Sequence, residues 1–340
     1  MRPSLRLLST TTKSRFGTYT LLSPDSALTS YPSPRHVPGN IKRPDYVPRN
    51  FFTAPWGHHD PPKESPEDEV EGRRIRKGSE EESRVREAGK LAGQVLAQVK
   101  ALIVVGGVLE MYCTMTDGPQ PGRTTDEIDQ AVHGMIVAAG AYPSTLGYTS
   151  YPRSCTVAVN NVLARECPDL VRPLESHDLI NVDLTVFLNG HHGDTSATFA
   201  LRRVDDQGLE LIESTKEALE QAIRVCGPGV PLNEIGRVVE ELAEKRGLCV
   251  NRQFAGHGIG RRFHQPPYIL HHRNDDDTLM RIGDCFTIEP ILVQGPNSRG
   301  FIWDDGFTMS SESGARSAQF EHQILITDDG CDVLTRSITD

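Results

Sequence analysis

The chain has 340 residues, with 36 Lys and Arg against 46 Asp and Glu, a formal net charge of -10. No stretch approaches the roughly 18 to 20 apolar residues of a membrane span, and the basic residues form no sustained stripe, so neither a membrane nor nucleic acid is expected as a partner. The seven cysteines (Cys113, Cys155, Cys167, Cys226, Cys249, Cys285 and Cys331) are scattered and never form Cys-x-x-Cys, which speaks for a reducing compartment and against a disulfide framework or zinc finger.

At the start of the chain, Arg2, Arg6, Lys13 and Arg15 lie among Ser and Thr with no acid before Asp25. Residues 1–30 are therefore expected to be a mitochondrial transit peptide, or a plastid one; a disordered basic terminus is the plainer alternative. The stretch 31–78 is rich in proline ("YPSPRHVPGNIKRPDYVPRNFF") and reads as an extended arm or linker. Regular structure is expected from about Ser79, opening a single domain over 79–340.

Ser79 and Glu82 form a capping-box pattern, and Val85, Ala88, Leu91, Ala92, Val95, Leu96 and Val99 follow at helical spacing. A second helix is expected from Thr124, with Glu127 three residues on, through Ile128, Val132, Met135 and Ile136 to a stop at Gly140. Its stretch "PGRTTDEIDQAVHGMIVAAG" from Pro121 aligns with "PGVPLNEIGRVVEELAEKRG" from Pro228, an offset of 107. "DLINVD", ending at Asp183, aligns with "DCFTIE", ending at Glu289, at an offset of 106. Two near-equal offsets in the same order imply two related halves, each with helices followed by sheet. The first half carries an unmatched apolar insert at 101–120, either an extended helix with a loop or translated intron.

Ile180, Val182, Leu184 and Val186 alternate with Asn181, Asp183 and Thr185, the period of a half-buried strand, and Asn189-Gly190 reads as a hairpin turn. The stretch thus places two carboxylates, Asp183 and Asp194, inside what otherwise reads as apolar strand. A buried carboxylate is costly unless paired, hydrogen-bonded or bound to a cation. Asp183, Asp194, His257, Glu289 and Glu321 together offer four carboxylates and one imidazole. That donor set suits two adjacent divalent ions of the Mn, Fe, Co or Zn kind.

The stretches "INVDLTVFLNGHHGDTSATF", "FAGHGIGRRFH", "FTIEP" and "RSAQFEHQILIT", in this order, resemble the type I methionine aminopeptidases of the organellar kind, in metallopeptidase family M24, over roughly Ser79 to Thr335. The resemblance implies an α/β pita-bread fold, in which each of two pseudo-symmetric halves packs helices on a curved antiparallel sheet. It also implies Asp183 as ligand of one metal, Asp194 and Glu321 as bridges, and His257 and Glu289 as ligands of the other. Glu289 would be the general base, and His264 would steady the scissile carbonyl. Tyr148, Tyr151, Phe254, Phe263 and Phe307 would line the methionine pocket, with Phe307 where the family more often has Trp. The implied substrates are the N-termini of nascent or imported proteins with a small second residue, and the implied form is a mitochondrial monomer, with a cytoplasmic location as the alternative.

One motif departs from the pattern. After "VNNVL" the family's substrate-contacting histidine falls near Arg165, in "ARECPD". Arginine stays protonated and does no acid-base work near neutral pH. Two readings follow, an impaired enzyme or a local sequence error. Two other functions compete: a pita-bread protein that only binds a partner, which loss of metal ligands would mark, and a proline-directed aminopeptidase, against which "HGDTSATF" and "SAQFEH" speak.

Overall fold

Two capping patterns set where the first helices begin. In the computed structural model, which describes residues 11–26, 33–54, 74–104, 123–164 and 172–336, Ser79 Oγ accepts from Glu82 N at 3.2 Å. The Glu82 carboxylate takes Gly78 N instead of Ser79 N, so only half of the box forms there. At Thr124 the box is complete: Glu127 N donates to Thr124 Oγ1 at 3.2 Å and Thr124 N to Glu127 Oε2 at 2.8 Å.

In chain order the elements are β1 (Thr11–Ser14), β2 (Gly17–Thr20), α1 (Glu80–Val104), α2 (Thr125–Ala138), β3 (Tyr142–Pro143), β4 (Thr156–Val159), β5 (Val162–Ala164), β6 (Leu179–Leu188) and β7 (His191–Ala200). The second half continues with α3 (Asp206–Arg224), α4 (Asn233–Lys245), β8 (Leu248–Val250), β9 (Gly256–Gly258), β10 (Gln265–Ile269), β11 (Cys285–Ile288) and β12 (Ile291–Gln294). It closes with β13 (Gly300–Ile302), β14 (Met309–Ser311), β15 (Ser317–Gln319), β16 (His322–Ile326) and β17 (Cys331–Val333).

The internal repeat is visible in space. Shifted by about 106 residues, α2 falls on α4, β3 on β8, and the continuous strand β6 on the broken pair β11 and β12, which Glu289-Pro290 interrupts. Each half buries its own core: α1 and α2 pack Ala88, Val95, Ile128 and Val132 on Ile180, Val182 and Leu184, while α3 and α4 pack Leu211, Leu219, Ile235 and Val239 on Phe286, Ile288 and Ile324. The sheets of the two halves meet where Ser196 and Glu321 bridge antiparallel, with Glu321 N donating to Ser196 O at 2.9 Å.

β6 and β7 pair in full register around the Asn189-Gly190 turn, whose residues take φ of +52° and +85°, as a tight hairpin requires. The strand is more enclosed than its alternation predicts. Ile180, Val182, Leu184 and Val186 are buried against the helices, and Asn181 and Thr185 on the other face are buried too, because the second half of the molecule covers it. A Cβ on Gly193 would stand 2.3 Å from the Ala88 carbonyl carbon, so only glycine lets α1 cross β7 next to Asp194.

Regular structure begins earlier than expected. β1 and β2 form an antiparallel hairpin within the stretch read as a presequence, and Tyr19 and Phe16 are buried in a small core with Leu163, Ile291 and Val293. Thr18 N donates to Asp205 Oδ2 at 2.6 Å, and the buried Arg316 donates to Phe16 O at 2.7 Å. These partners lie hundreds of residues away in the chain, so local composition carries no trace of them. Residues 33–54 contain no strand or regular helix, yet Val37, Ile41, Val47 and Phe51 are buried against Tyr142, Leu146 and Phe187. α1 runs four residues into the 101–120 insert; the remainder of the insert, Arg165, and residues 1–10 and 27–30 lie outside the described residues.

Candidate metal centre

The alternation of β6 points Asn181, Asp183 and Thr185 away from the helical core, and β7 sets Thr198, Ser196 and Asp194 directly across from them. From the other half, β11 delivers Glu289 just past its end and β16 carries Glu321 just before its start, with Ile288 paired to His322. His257 enters from β9, whose Gly258 pairs with Phe286 of β11. Five residues spread over 139 positions thus converge from both halves. Ligating atoms of Asp194, His257 and Glu321 all lie within 4.8 Å of one another.

The electrostatics of the cluster call for a cation. Burial, and then the neighbouring Asp183 charge, raise the Asp194 carboxyl well above its ordinary range. Glu321 is raised likewise by burial, followed by the charges of Asp194, Glu289 and Asp183. His257 Nδ1 lies 3.2 Å from Gly258 O, where it donates, leaving Nε2 with its lone pair 3.6 Å from both Asp194 Oδ2 and Glu289 Oε1. With the ring neutral, as a metal ligand requires, that lone pair faces two carboxylates and is repelled unless a positive ion lies among them. The residues fit a divalent cation on that ground.

Hydrogen bonds orient Asp194 and Glu289. Thr185 Oγ1 donates to Asp194 Oδ1 at 2.7 Å; Thr287 Oγ1 and Gln319 Nε2 donate to the two oxygens of Glu289 at 3.0 and 3.1 Å. Glu289 N donates to Nε2 of the buried His271 at 3.0 Å, and burial pulls His271 down to about 3, so it remains a neutral acceptor. None of Thr185, Thr287, Gln319 or His271 was singled out from sequence. Thr185 had a signal, as a polar residue on the acid-bearing face of its strand; the His271 contact spans 18 residues without a motif.

Beside the acids lies a group of rings. His264 sits 4.1 Å from His257 and 4.1 Å from Phe263, centroid to centroid, and Tyr148 is 4.8 Å from Phe263 and 4.9 Å from His264. Tyr151 and Phe307 form a second, edge-to-face pair at 5.3 Å. Phe254 packs with the core around Leu163 and Ile291, alongside the N-terminal hairpin. His192, two residues from Asp194, is also enclosed: it stacks on Phe263 at 5.3 Å and bonds Ser144 Oγ through Nδ1 at 2.8 Å, and burial lowers it to about 3.

A two-fold repeated fold that closes four carboxylates and an imidazole between its halves is that of a metal-dependent hydrolase. The chain belongs to metallopeptidase family M24, whose sequence model matches residues 83–328. Within that family it stands with the methionine aminopeptidases. It is 39% identical over 319 residues to the mitochondrial methionine aminopeptidase 1D of Danio rerio, covering 94% of this chain and 83% of that protein. It is 51% identical over 217 residues to the chloroplastic/mitochondrial methionine aminopeptidase 1D of Arabidopsis thaliana, a match that covers 64% of this chain and 61% of that protein. The crystal structure of methionine aminopeptidase from Rickettsia prowazekii superposes with a TM-score of 0.70 at 31% identity, covering 77% of this chain and 99% of that one. The pita-bread expectation is met.

Proposed function

We propose that the chain removes the N-terminal methionine from nascent or imported organellar proteins whose second residue is small, using two divalent ions held by Asp183, Asp194, His257, Glu289 and Glu321. The observation that carries this reading is the convergence of Asp194, His257 and Glu321 within 4.8 Å, in a chain whose relatives bear the name methionine aminopeptidase. Asp183 would help to hold one ion, His257 and Glu289 the other, and Asp194 and Glu321 would serve both. Bound ions of this kind supply Lewis acidity and make water acidic enough to ionise near neutral pH.

The protein's own groups do the rest. Glu289, steadied through both oxygens by Thr287 and Gln319, takes the proton from the attacking water and passes it towards the leaving amine. His264, against His257, holds the scissile carbonyl. Tyr148, Tyr151, Phe254, Phe263 and Phe307 enclose the methionine side chain, flat walls suited to a flexible thioether. The organellar names of the relatives support a mitochondrial location.

Arg165 favours a second reading, a chain with an assembled site but impaired proton transfer. The test is release of methionine from a Met-Ala-Ser peptide by the metal-free chain and by the chain loaded with Mn, Co, Fe or Zn, with Arg165→His alongside. Metal-dependent release by the unaltered sequence supports the first reading; release by Arg165→His alone supports the second. Binding of metal without cleavage by either version overturns both.

A further inference from the structure

Tyr46, from the proline-rich arm, stands among the rings of the candidate site. Its ring lies 5.0 Å from Tyr148, edge to face at 86°, and 6.0 Å from His192 at an interplanar angle of 21°. His192 also stacks on Phe263 at 14°, so the rings of Tyr46 and Phe263 both lie near-parallel to that of His192. The Tyr46 hydroxyl donates to Ser144 O at 2.5 Å, while Ser144 Oγ holds His192 Nδ1. Ser144 N in turn donates to Thr185 O, and Thr185 carries the hydrogen bond to Asp194. One side chain therefore touches the support of both the aromatic wall and the acid cluster.

The arm is fixed where this contact needs it. Arg35 pairs with the buried Asp129 at 2.8 Å, and His36 O lies 3.0 Å from His133 Nε2. Val47 packs on Gly147, where a Cβ would stand 2.8 Å from Val47 Cγ1. Gly147 opens the turn that carries Tyr148, and in that turn Thr149 and Ser150 take left-handed φ of +46° and +66°. Such conformations persist only when the surroundings impose them.

We infer that Tyr46 is a positioning residue for methionine recognition, holding Tyr148 and the His192–Phe263 stack in place, so that the arm completes the substrate pocket. This rests on the aminopeptidase reading above. Two aromatic contacts of this type support an effect of about tenfold on KM. The full-length, metal-loaded chain is compared with Tyr46→Leu, which keeps apolar bulk but no ring, and Tyr46→Phe, which keeps the ring. kcat and KM are measured on Met-Ala-Ser and Leu-Ala-Ser, with the melting temperature and bound-metal count as controls.

The expected result is that Tyr46→Leu raises KM for the methionyl peptide about tenfold and lowers the Met-over-Leu preference, with kcat changed less than about threefold, whereas Tyr46→Phe stays within about threefold of the parent in KM. A Tyr46→Leu protein with the parent's KM and preference overturns the inference and leaves the aminopeptidase reading intact. So does a uniform loss of kcat in both variants that tracks melting temperature, the mark of a purely structural residue. A parent chain that cleaves no methionyl peptide overturns both.

Discussion

Thr185 Oγ1 donates to Asp194 Oδ1 at 2.7 Å across the β6–β7 ladder, and both residues are buried. The bond favours the ionised acid against burial and the Asp183 charge, which raise its pKa. Thr185→Val keeps the shape and removes the donor. The expected outcome is a 10- to 100-fold weaker affinity for Mn, the usual cost of losing a partner behind a metal ligand. Calorimetric titration of the metal-free protein measures it, and affinity within twofold of the parent would show that the bond orients nothing.

Removing the metal should cost stability for the same electrostatic reason. Asp194 and Glu321 are 3% and 2% exposed and repel each other and their acidic neighbours. A cation present at 100 times its dissociation constant stabilises by about 2.7 kcal/mol. For a chain of 340 residues that corresponds to roughly 4 °C in melting temperature. Scanning calorimetry before and after chelation, with Mn added back, should show the drop and its reversal; a chelated protein that melts at the same temperature would count against a resident ion.

His271 accepts from Glu289 N, and replacing it with Phe leaves that amide without its acceptor. The expected stability loss is about 1 to 3 kcal/mol. Because Glu289 follows β11 immediately, a shifted amide also moves its carboxylate, so kcat should fall while KM for Met-Ala-Ser holds. Equal changes in both constants would assign His271 a packing role alone.

The acids were legible because a period-two strand cannot hide a carboxylate: Asp183 stood out in β6, and the 106-residue offset led from it to Glu289. The helices were legible through Thr124 and Glu127, whose signal is local. Contacts made by irregular chain were not. Tyr46 and Tyr19 have ordinary neighbours in sequence, and what defines them is a ring or carbonyl about 100 to 300 residues away. The five candidate pocket aromatics gave types without geometry, and only the fold separates Phe254, in the core near the hairpin, from Phe263 beside His264.

A histidine outside the metal cluster sets a pH dependence. His133 Nε2 donates to His36 O and Nδ1 accepts from Ser154 Oγ, so the folded protein holds the neutral ring, and burial lowers its pKa despite the raising effects of the His36 carbonyl and Asp129. The unfolded chain takes up a proton first as pH falls below about 6.5, so this contribution is present above that pH and lost on acidification towards the folded value. His133→Asn cannot titrate there. Urea midpoints measured from pH 7.5 to 5 should fall less steeply for the variant than for the parent, and parallel curves would remove His133 from the acid limb.

The N-terminal hairpin makes a separate demand on maturation. Tyr19 is 2% exposed and its hydroxyl donates to Gly314 O at 2.5 Å, while the fully buried Arg316 lies over the Tyr19 ring at 4.9 Å and bonds both Phe16 O and Asp205 Oδ1. A cut at residue 30 would remove Tyr19 and the Phe16 carbonyl together, leaving Arg316 with Asp205 and Gln294 but without the cover that keeps them dry. Loss of a buried aromatic alone costs about 3 to 5 kcal/mol, roughly 4 to 7 °C in melting temperature for a chain of this length. Removing residues 1–10 spares every one of these contacts. The truncation lacking residues 1–10 should therefore melt within about 2 °C of the full chain and the one lacking residues 1–30 far below it. Equal melting of the two would make the hairpin dispensable, and a leader extending to residue 30 compatible with a stable mature enzyme.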